Sequence, residues 1–370
     1  MGLEKSRLNA HPFLSGFSAA LGSGGKYAPF IIAEISGNHN QSLERALEIV
    51  EAAATTGAHA IKLQTYTADT MTLDLKEREF FISDEKSLWK GQSLYDLYKI
   101  AHTPWDWHKP IFDHAKKLGL ICFSTPFDET AVDFLEKLRV PIYKIASFEN
   151  TDIPLIRRVA ATGKPLIIST GMATQEELDE SVDAARKGGC KELTLLKCTS
   201  TYPATPENSN LLTIPYLRDR YGCEIGLSDH TLGIGVAISS VALGATVIEK
   251  HFTLKRSDGG VDAAFSLEPN EMKQLVEETA RAWQSLGKAF IGPTEAEKPS
   301  ITFRRSLYIV KDMKAGDVLT KENIRAIRPG LGLPPKHRKH VLGMVLLRDV
   351  NRGTALSLEM LSDLKIPKKR

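Results

Sequence analysis

The sequence predicts an α/β fold, a (β/α)8 TIM barrel followed by a small β-rich C-terminal domain. Three observations carry it. Eight short runs rich in Ile, Leu and Val recur between positions 30 and 253, as expected of strands covered on both faces. Helical patterns separate them, the alternation of a parallel α/β sheet. The runs also end in polar or ionisable residues, as barrel strands do where their carboxyl ends form an active-site mouth. An open doubly wound sheet is the alternative arrangement of the same elements.

The strand-like runs fall at 30–36, 60–66, 120–125, 142–148, 165–170, 193–199, 224–229 and 246–253. Helical patterns occupy 43–53, 130–137, 174–186, 235–243 and 271–286. In the first, apolar residues recur at helical spacing. Thr130 and Thr174 stand where helix caps are expected. Residues 1–28 are Gly/Ser-rich and aperiodic, an arm leading into a barrel at 29–290. Gly292-Pro293-Thr294-Glu295 and Pro299 mark a linker at 291–301. Beyond it, at 302–363, Lys314-Ala315-Gly316-Asp317-Val318-Leu319-Thr320 and Asn351-Arg352-Gly353-Thr354-Ala355-Leu356-Ser357 share a pattern that suggests two related halves of a small β domain. The basic stretch 364–370 is expected to be a solvated terminus.

Composition excludes several classes of partner. Among 370 residues, 48 basic and 45 acidic side chains leave a net charge of +3, so no global field advertises nucleic acid or a membrane surface. Cys122, Cys190, Cys198 and Cys223 include no C-x-x-C pair, which points to reduced thiols and a cytoplasmic location. Neither a signal-peptide pattern nor a membrane-length apolar run is expected.

The strand ends concentrate the chemistry. In order they present Glu34; Lys62 with Gln64; Ser124 with Thr125; Lys144 with Ser147; Ser169 with Thr170; Lys197 with Ser200; Ser228 with His230; and Glu249 with His251. His230 and His251 close neighbouring strands, so their imidazoles are placed to share one divalent ion with open coordination positions. Either could instead be a satisfied core histidine. Lys62 and Lys144 sit in otherwise apolar strands, where an ammonium needs an anionic ligand or a partner carboxylate. Ser147, Ser169 and Ser228 could equally cap helices. His39 is expected to orient a loop or touch substrate, His59 belongs at the opposite barrel face, and His102, His108 and His114 are expected at the surface. No P-loop or H-E-x-x-H signature is present.

Taken together, Ile31-Ile32-Ala33-Glu34 with Asn38-His39-Asn40, Ile61-Lys62-Leu63-Gln64-Thr65, Tyr143-Lys144-Ile145-Ala146-Ser147, Ser169-Thr170-Gly171-Met172, Gly226-Leu227-Ser228-Asp229-His230 and Glu249-Lys250-His251-Phe252-Thr253 resemble the sialic acid synthase family. Phe303-Arg304-Arg305-Ser306-Leu307 and the module after it resemble that family's antifreeze-like (SAF, β-clip) domain. The likeness runs in order over about residues 29–363. Glu34-Ile35-Ser36-Gly37-Asn38-His39-Asn40-Gln41-Ser42 and Ser147-Phe148-Glu149-Asn150-Thr151-Asp152 resemble the pseudaminic branch in particular. Ser200 departs from the Asn common in neuraminate synthases.

The resemblance implies condensation of phosphoenolpyruvate with 2,4-diacetamido-2,4,6-trideoxy-L-altrose. His230 and His251 would hold Mn2+, or another divalent cation such as Mg2+ or Co2+. Lys62, Thr125, Lys144, Ser147, Ser169, Ser200 and Ser228 would bind phosphoenolpyruvate, and Glu34 would handle water and its proton. Gln64, Tyr202 and Asp262 would contact the sugar, joined by Arg304 or Arg305 from the SAF domain of the partner in a homodimer. The rivals are a neuraminate or legionaminate synthase of the same chemistry, a Schiff-base aldolase using Lys62 or Lys144, and a non-catalytic SAF-type carbohydrate-binding protein.

Overall fold

A computed structural model describes residues 28–362. The predicted N-terminal arm and basic tail fall almost wholly outside these residues. Eight parallel strands close into a barrel, each hydrogen-bonded to the next in sequence and the last to the first. They are β1 (Phe30–Glu34), β2 (Ala60–Thr65), β3 (Ile121–Pro126), β4 (Tyr143–Ile145), β5 (Leu166–Ser169), β6 (Leu193–Cys198), β7 (Glu224–Asp229) and β8 (Val247–His251). Closure excludes the open doubly wound alternative.

Helices follow the strands: α1 (Leu43–Thr56), α2 (Trp105–Lys117), α3 (Glu129–Leu138), α4 (Ile153–Ala160), α5 (Gln175–Lys187), α6 (Thr213–Tyr221), α7 (Gly235–Ala242) and α8 (Pro269–Leu286). Thr174 caps α5 in a reciprocal capping box with Glu177. Thr130 does not cap α3; the cap is Asp128, whose carboxylate accepts from the Thr130 and Ala131 amides. An Asp two residues before Thr130 can accept both amides at once.

The period of two along each strand divides the interior from the exterior. Phe30, Ile32, Ala60, Phe123, Ile142, Ile167, Leu196 and Val247 form an apolar plug inside the barrel. Alternate residues such as Ile31, Ala33, Ile61 and Leu63 pack outward with Ala46, Ile49, Val50 and Ala53 of α1. Glycine is required at Gly226, where an added Cβ would lie 2.3 Å from the Val247 carbonyl oxygen and 2.6 Å from Leu196. The fourth predicted strand is shorter than expected: β4 ends at Ile145 and Ser147–Glu149 turns into a 3-10 helix.

A second compact unit begins at Lys288. Its start is not a plain linker, since Glu295–Phe303 forms 3-10 turns. β9 (Ser306–Ile309) and β10 (Ile324–Ile327) pair antiparallel over a core that includes Leu307, Ile309, Leu319, Leu346 and Leu356. The two repeated patterns contribute single bridges, Val318 to Val345 and Ala355 to Tyr308, in place of extended strands. Among the described residues no helix is long and apolar enough to cross a membrane.

Candidate active site

The carboxyl ends of the strands place four ionisable side chains in one buried cluster. Glu34 on β1 and Lys62 on β2 are register partners, and Lys62 Nζ lies 2.5 Å from Glu34 Oε2. The same ammonium donates to Thr125 Oγ1 at 3.2 Å. Glu249 on β8 stands between the two lysines, 3.8 Å from Lys62 and 3.8 Å from Lys144. Lys144 Nζ also donates to Ser169 Oγ at 2.6 Å, and Ser228 Oγ donates to Glu249 Oε1 at 3.0 Å. Every one of these side chains is buried.

This cluster pushes its two carboxylates apart. Burial raises the pKa of Glu34 against the attraction of Lys62. Glu249 suffers the same burial, but Lys144 and Lys62 together outweigh it and hold its pKa below the usual value. The two interacting acids are thus driven in opposite directions, Glu34 toward holding a proton and Glu249 toward losing one. Burial works against Lys62, yet Glu249 and Glu34 prevail and raise its pKa. Lys144 is lowered by burial, with Glu249 opposing and Lys62 reinforcing the fall.

Against this cluster stands the histidine pair. The rings of His230 and His251 lie 5.3 Å apart, centroid to centroid, and both are buried. His230 Nδ1 is 3.0 Å from the Thr199 carbonyl; a carbonyl only accepts, so Nδ1 carries a hydrogen and Nε2 is the nitrogen left for a ligand, although burial of the ring is outweighed by Cys198 and that carbonyl, which raise its pKa. That backbone support is the usual outer contact of a metal-binding imidazole. His251 Nδ1 lies 3.3 Å from Ser36 Oγ and 3.7 Å from Asp262 Oδ2. Burial first, then the charge of His230, holds its pKa well below normal, which favours the neutral, ligating form. Among the described residues no set of three or more His, Cys, Asp or Glu gathers around one metal position. The donors available here to a divalent ion with open coordination positions are thus the two imidazoles, with the Cys198 thiol 4.0 Å from His230 beside them.

The serines serve the mouth and not the helix ends. Ser147 Oγ accepts from the Gly171 amide at 3.2 Å. A Cβ on Gly171 would meet Ser200 Oγ at 2.2 Å and Ser147 Oγ at 2.6 Å, so this backbone passes directly between the two hydroxyls. Gln64 pairs in register with Thr125. Tyr202 lays its ring 4.5 Å from His230 and 5.3 Å from Phe265. Beside the mouth opens a cavity of about 560 Å3, lined by Asn40, Gln41, Trp89, Gln92, Leu97 and Val261 among others, with no ionisable side chain in its wall among the described residues. Arg304 and Arg305 belong to the second unit, where both are exposed just before β9.

Other expectations need correction. Lys197 shares the parity of Leu193 and Leu195, which pack in the outer core; its ammonium bonds the Cys198 carbonyl and Thr199 Oγ1. His108 is not a surface residue: it is fully buried on α2 and joined to Thr65 Oγ1 at 2.7 Å. His39 orients its own loop, accepting from the Gln41 amide at 3.2 Å. His59 Nδ1 accepts from the Ile31 amide at 2.9 Å, consistent with a structural role. Sequence reasoning underrated Glu249, although its spacing of two from His251 signals a shared face, and overlooked Ser36.

The NeuB family model matches residues 49–290, and the SAF domain model matches residues 304–362. The chain is 44% identical to a pseudaminic acid synthase of Helicobacter pylori, over 90% of this chain and 97% of that protein. It is 43% identical to a pseudaminic acid synthase of Campylobacter jejuni, over 88% and 95%. The crystal structure of an N-acetylneuraminic acid synthetase from Leptospira borgpetersenii in complex with citrate superposes with a TM-score of 0.67 at 33% identity, covering 75% of this chain and 91% of that one. With a buried lysine–carboxylate cluster and a histidine pair at the mouth of the matched barrel, the chain belongs to the NeuB family of enzymes.

Proposed function

We propose that this enzyme is a pseudaminic acid synthase, condensing phosphoenolpyruvate with 2,4-diacetamido-2,4,6-trideoxy-L-altrose and water to give pseudaminic acid and phosphate. The two relatives of that name, each alike over nearly its whole length, support the choice of sugar. The observation that carries the chemistry is the pair of buried ammoniums, Lys62 and Lys144, flanking Glu249 beside the two imidazoles. Two ammoniums can each donate to a small anion, and Thr125, Ser147, Ser169, Ser200 and Ser228 add hydroxyl donors around it. The neutral cavity beside the mouth suits the acetamido-bearing sugar: amides for its polar groups, Trp89, Leu97 and Val261 for its methyls.

The reaction joins carbon 3 of phosphoenolpyruvate to the sugar's aldehyde carbon. Water then adds at carbon 2, and the carbon–oxygen bond to phosphate breaks. His230 and His251 would hold Mn2+, Mg2+ or Co2+, which when bound supplies Lewis-acid polarisation of the aldehyde. Glu34 takes the proton of the added water, while Lys62 remains its counter-ion and Glu249 remains an anion between the lysines. Gln64, Tyr202 and Asp262 orient the sugar.

We extend the reading to a cytoplasmic homodimer whose SAF domains cover the partners' barrels, bringing Arg304 or Arg305 to the sugar. Co-refolding a His230→Ala chain with an Arg305→Ala (or Arg304→Ala) chain should restore about a quarter of wild-type activity, since half the dimers would carry one intact site. No restoration for either arginine would remove the composite site.

The acceptor is tested by steady-state turnover with the altrose sugar, the legionaminic precursor and N-acetylmannosamine, with and without a chelator. Preference for the altrose sugar, lost on chelation and restored by Mn2+, is expected. Preference for N-acetylmannosamine would overturn the assignment, and a borohydride-trapped pyruvate adduct on Lys62 or Lys144 would replace it with Schiff-base chemistry.

A further inference from the structure

Strand β8 alternates: Glu249 and His251 turn into the mouth, and Lys250 between them turns outward, fully buried. All three protons of its ammonium are used on one neighbouring loop. Nζ donates to Asp229 Oδ2 at 3.0 Å, to the Thr231 carbonyl at 2.5 Å and to the Gly233 carbonyl at 3.0 Å. The other oxygen of Asp229 accepts from the Thr231 amide at 2.9 Å. His230 lies between these anchors. Its carbonyl accepts from the Ala204 amide at 3.0 Å, and its Nδ1 is held by Thr199.

We propose that Lys250 is a positioning residue, clamping the loop on both sides of His230 and so setting that imidazole against His251. A buried ion pair adds little stability over an apolar pair of equal size. Its return here is directional: three bonds from the strand that carries one histidine fix the loop that carries the other. One strand thereby supplies a ligand and locks its counterpart.

The inference rests on His230 and His251 as the metal-holding pair, and one experiment separates the two claims. Mn2+ binding to the purified, metal-stripped full-length protein is measured by the loss of the free-ion electron paramagnetic resonance signal. Tight binding by the wild type and none by His230→Ala is expected; equal binding by both would overturn the metal pair and the clamp together. The double variant Lys250→Met/Asp229→Asn leaves no lone buried charge and keeps side-chain volume. It should melt cooperatively yet bind Mn2+ about 10–100-fold more weakly, the range for losing an outer contact of a metal ligand. Its KM for phosphoenolpyruvate should move less than about fivefold, since Lys62, Thr125, Lys144 and Ser169 lie on β2 to β5 and only Ser228 shares a strand with the substituted pair. Mn2+ affinity within about twofold of wild type in this folded variant, with binding abolished in His230→Ala, would reduce Lys250 to a structural residue. If the double variant does not fold, Lys250→Leu/Asp229→Asn, equally free of a lone buried charge, is read the same way: weaker Mn2+ binding in a folded protein supports the clamp, unchanged binding overturns it.

Discussion

Two layers of the same barrel interior are built on opposite principles. The lower layer, with Phe30, Ile32, Phe123, Ile167 and Leu196, is apolar and closely packed. The upper layer, a residue or two further along such strands, holds Glu34, Lys62, Lys144 and Glu249, equally buried but ionisable. Dispersion and water exclusion reward the first. The second carries a desolvation cost that its ion pairs only partly offset. Stability is thus concentrated below, and binding power above, where an arriving anion meets charges already stripped of water.

Substitutions in each layer should therefore have opposite signatures. Lys144→Met should lower kcat/KM for phosphoenolpyruvate by about 100–1000-fold, the loss of one or two charge-assisted contacts in a dry site. Paired with Glu249→Gln, so that no carboxylate loses its partner, the substitution should leave stability to chemical denaturation unchanged or raised. A large loss of stability with normal kcat/KM would erase the distinction. Phe123→Ala should do the reverse, costing about 3–5 kcal/mol in denaturant unfolding through the cavity it leaves. Its KM should stay near wild type at temperatures where the variant is folded.

A third substitution probes the border between layers. Glu149, just past β4, is half-buried, and its buried Oε2 has no hydrogen-bond partner among the described residues. Burial raises its pKa from 4.5 to about 7. The folded protein then binds more protons than the unfolded chain between those values, so this group's contribution to stability falls as pH rises from about 4.5 to 7 and stays low above. Glu149→Gln should be nearly neutral at pH 5 and stabilising by about 3 kcal/mol at pH 8. Equal effects at both pH values in thermal melts would show that the charge is not what burial penalises. The smallest effect belongs outside the barrel, where Asp128→Ala should cost about 1 kcal/mol through the lost cap of α3, with kinetics unmoved.

Much of this contrast was legible before any coordinates. The runs of Ile, Leu and Val located the strands, and the ionisable residues closing them located the mouth, because both signals are local and periodic. The family motifs supplied the chemistry expected there. Parity across strands was harder to read. Lys62, Lys144, Lys197 and Lys250 all interrupt apolar runs, yet the first two turn inward to the carboxylates and the last two bond backbone carbonyls outside. The same uncertainty put His108 on the surface, although its ring completes a buried bond to Thr65 on a neighbouring strand.

The sequence by itself determined the alternation of strands and helices, the second domain and the residues carrying the chemistry. These depend on hydrophobic period and residue type, which the chain states locally. Only the tertiary structure decided which lysines share Glu249, that Gly171 threads between Ser147 and Ser200, and that Lys250 braces the His230 loop. Each of those contacts joins residues about 20 to nearly 190 positions apart, and their pairing follows from the register of a closed barrel. A shift of one residue in any strand would turn its charges to the other face.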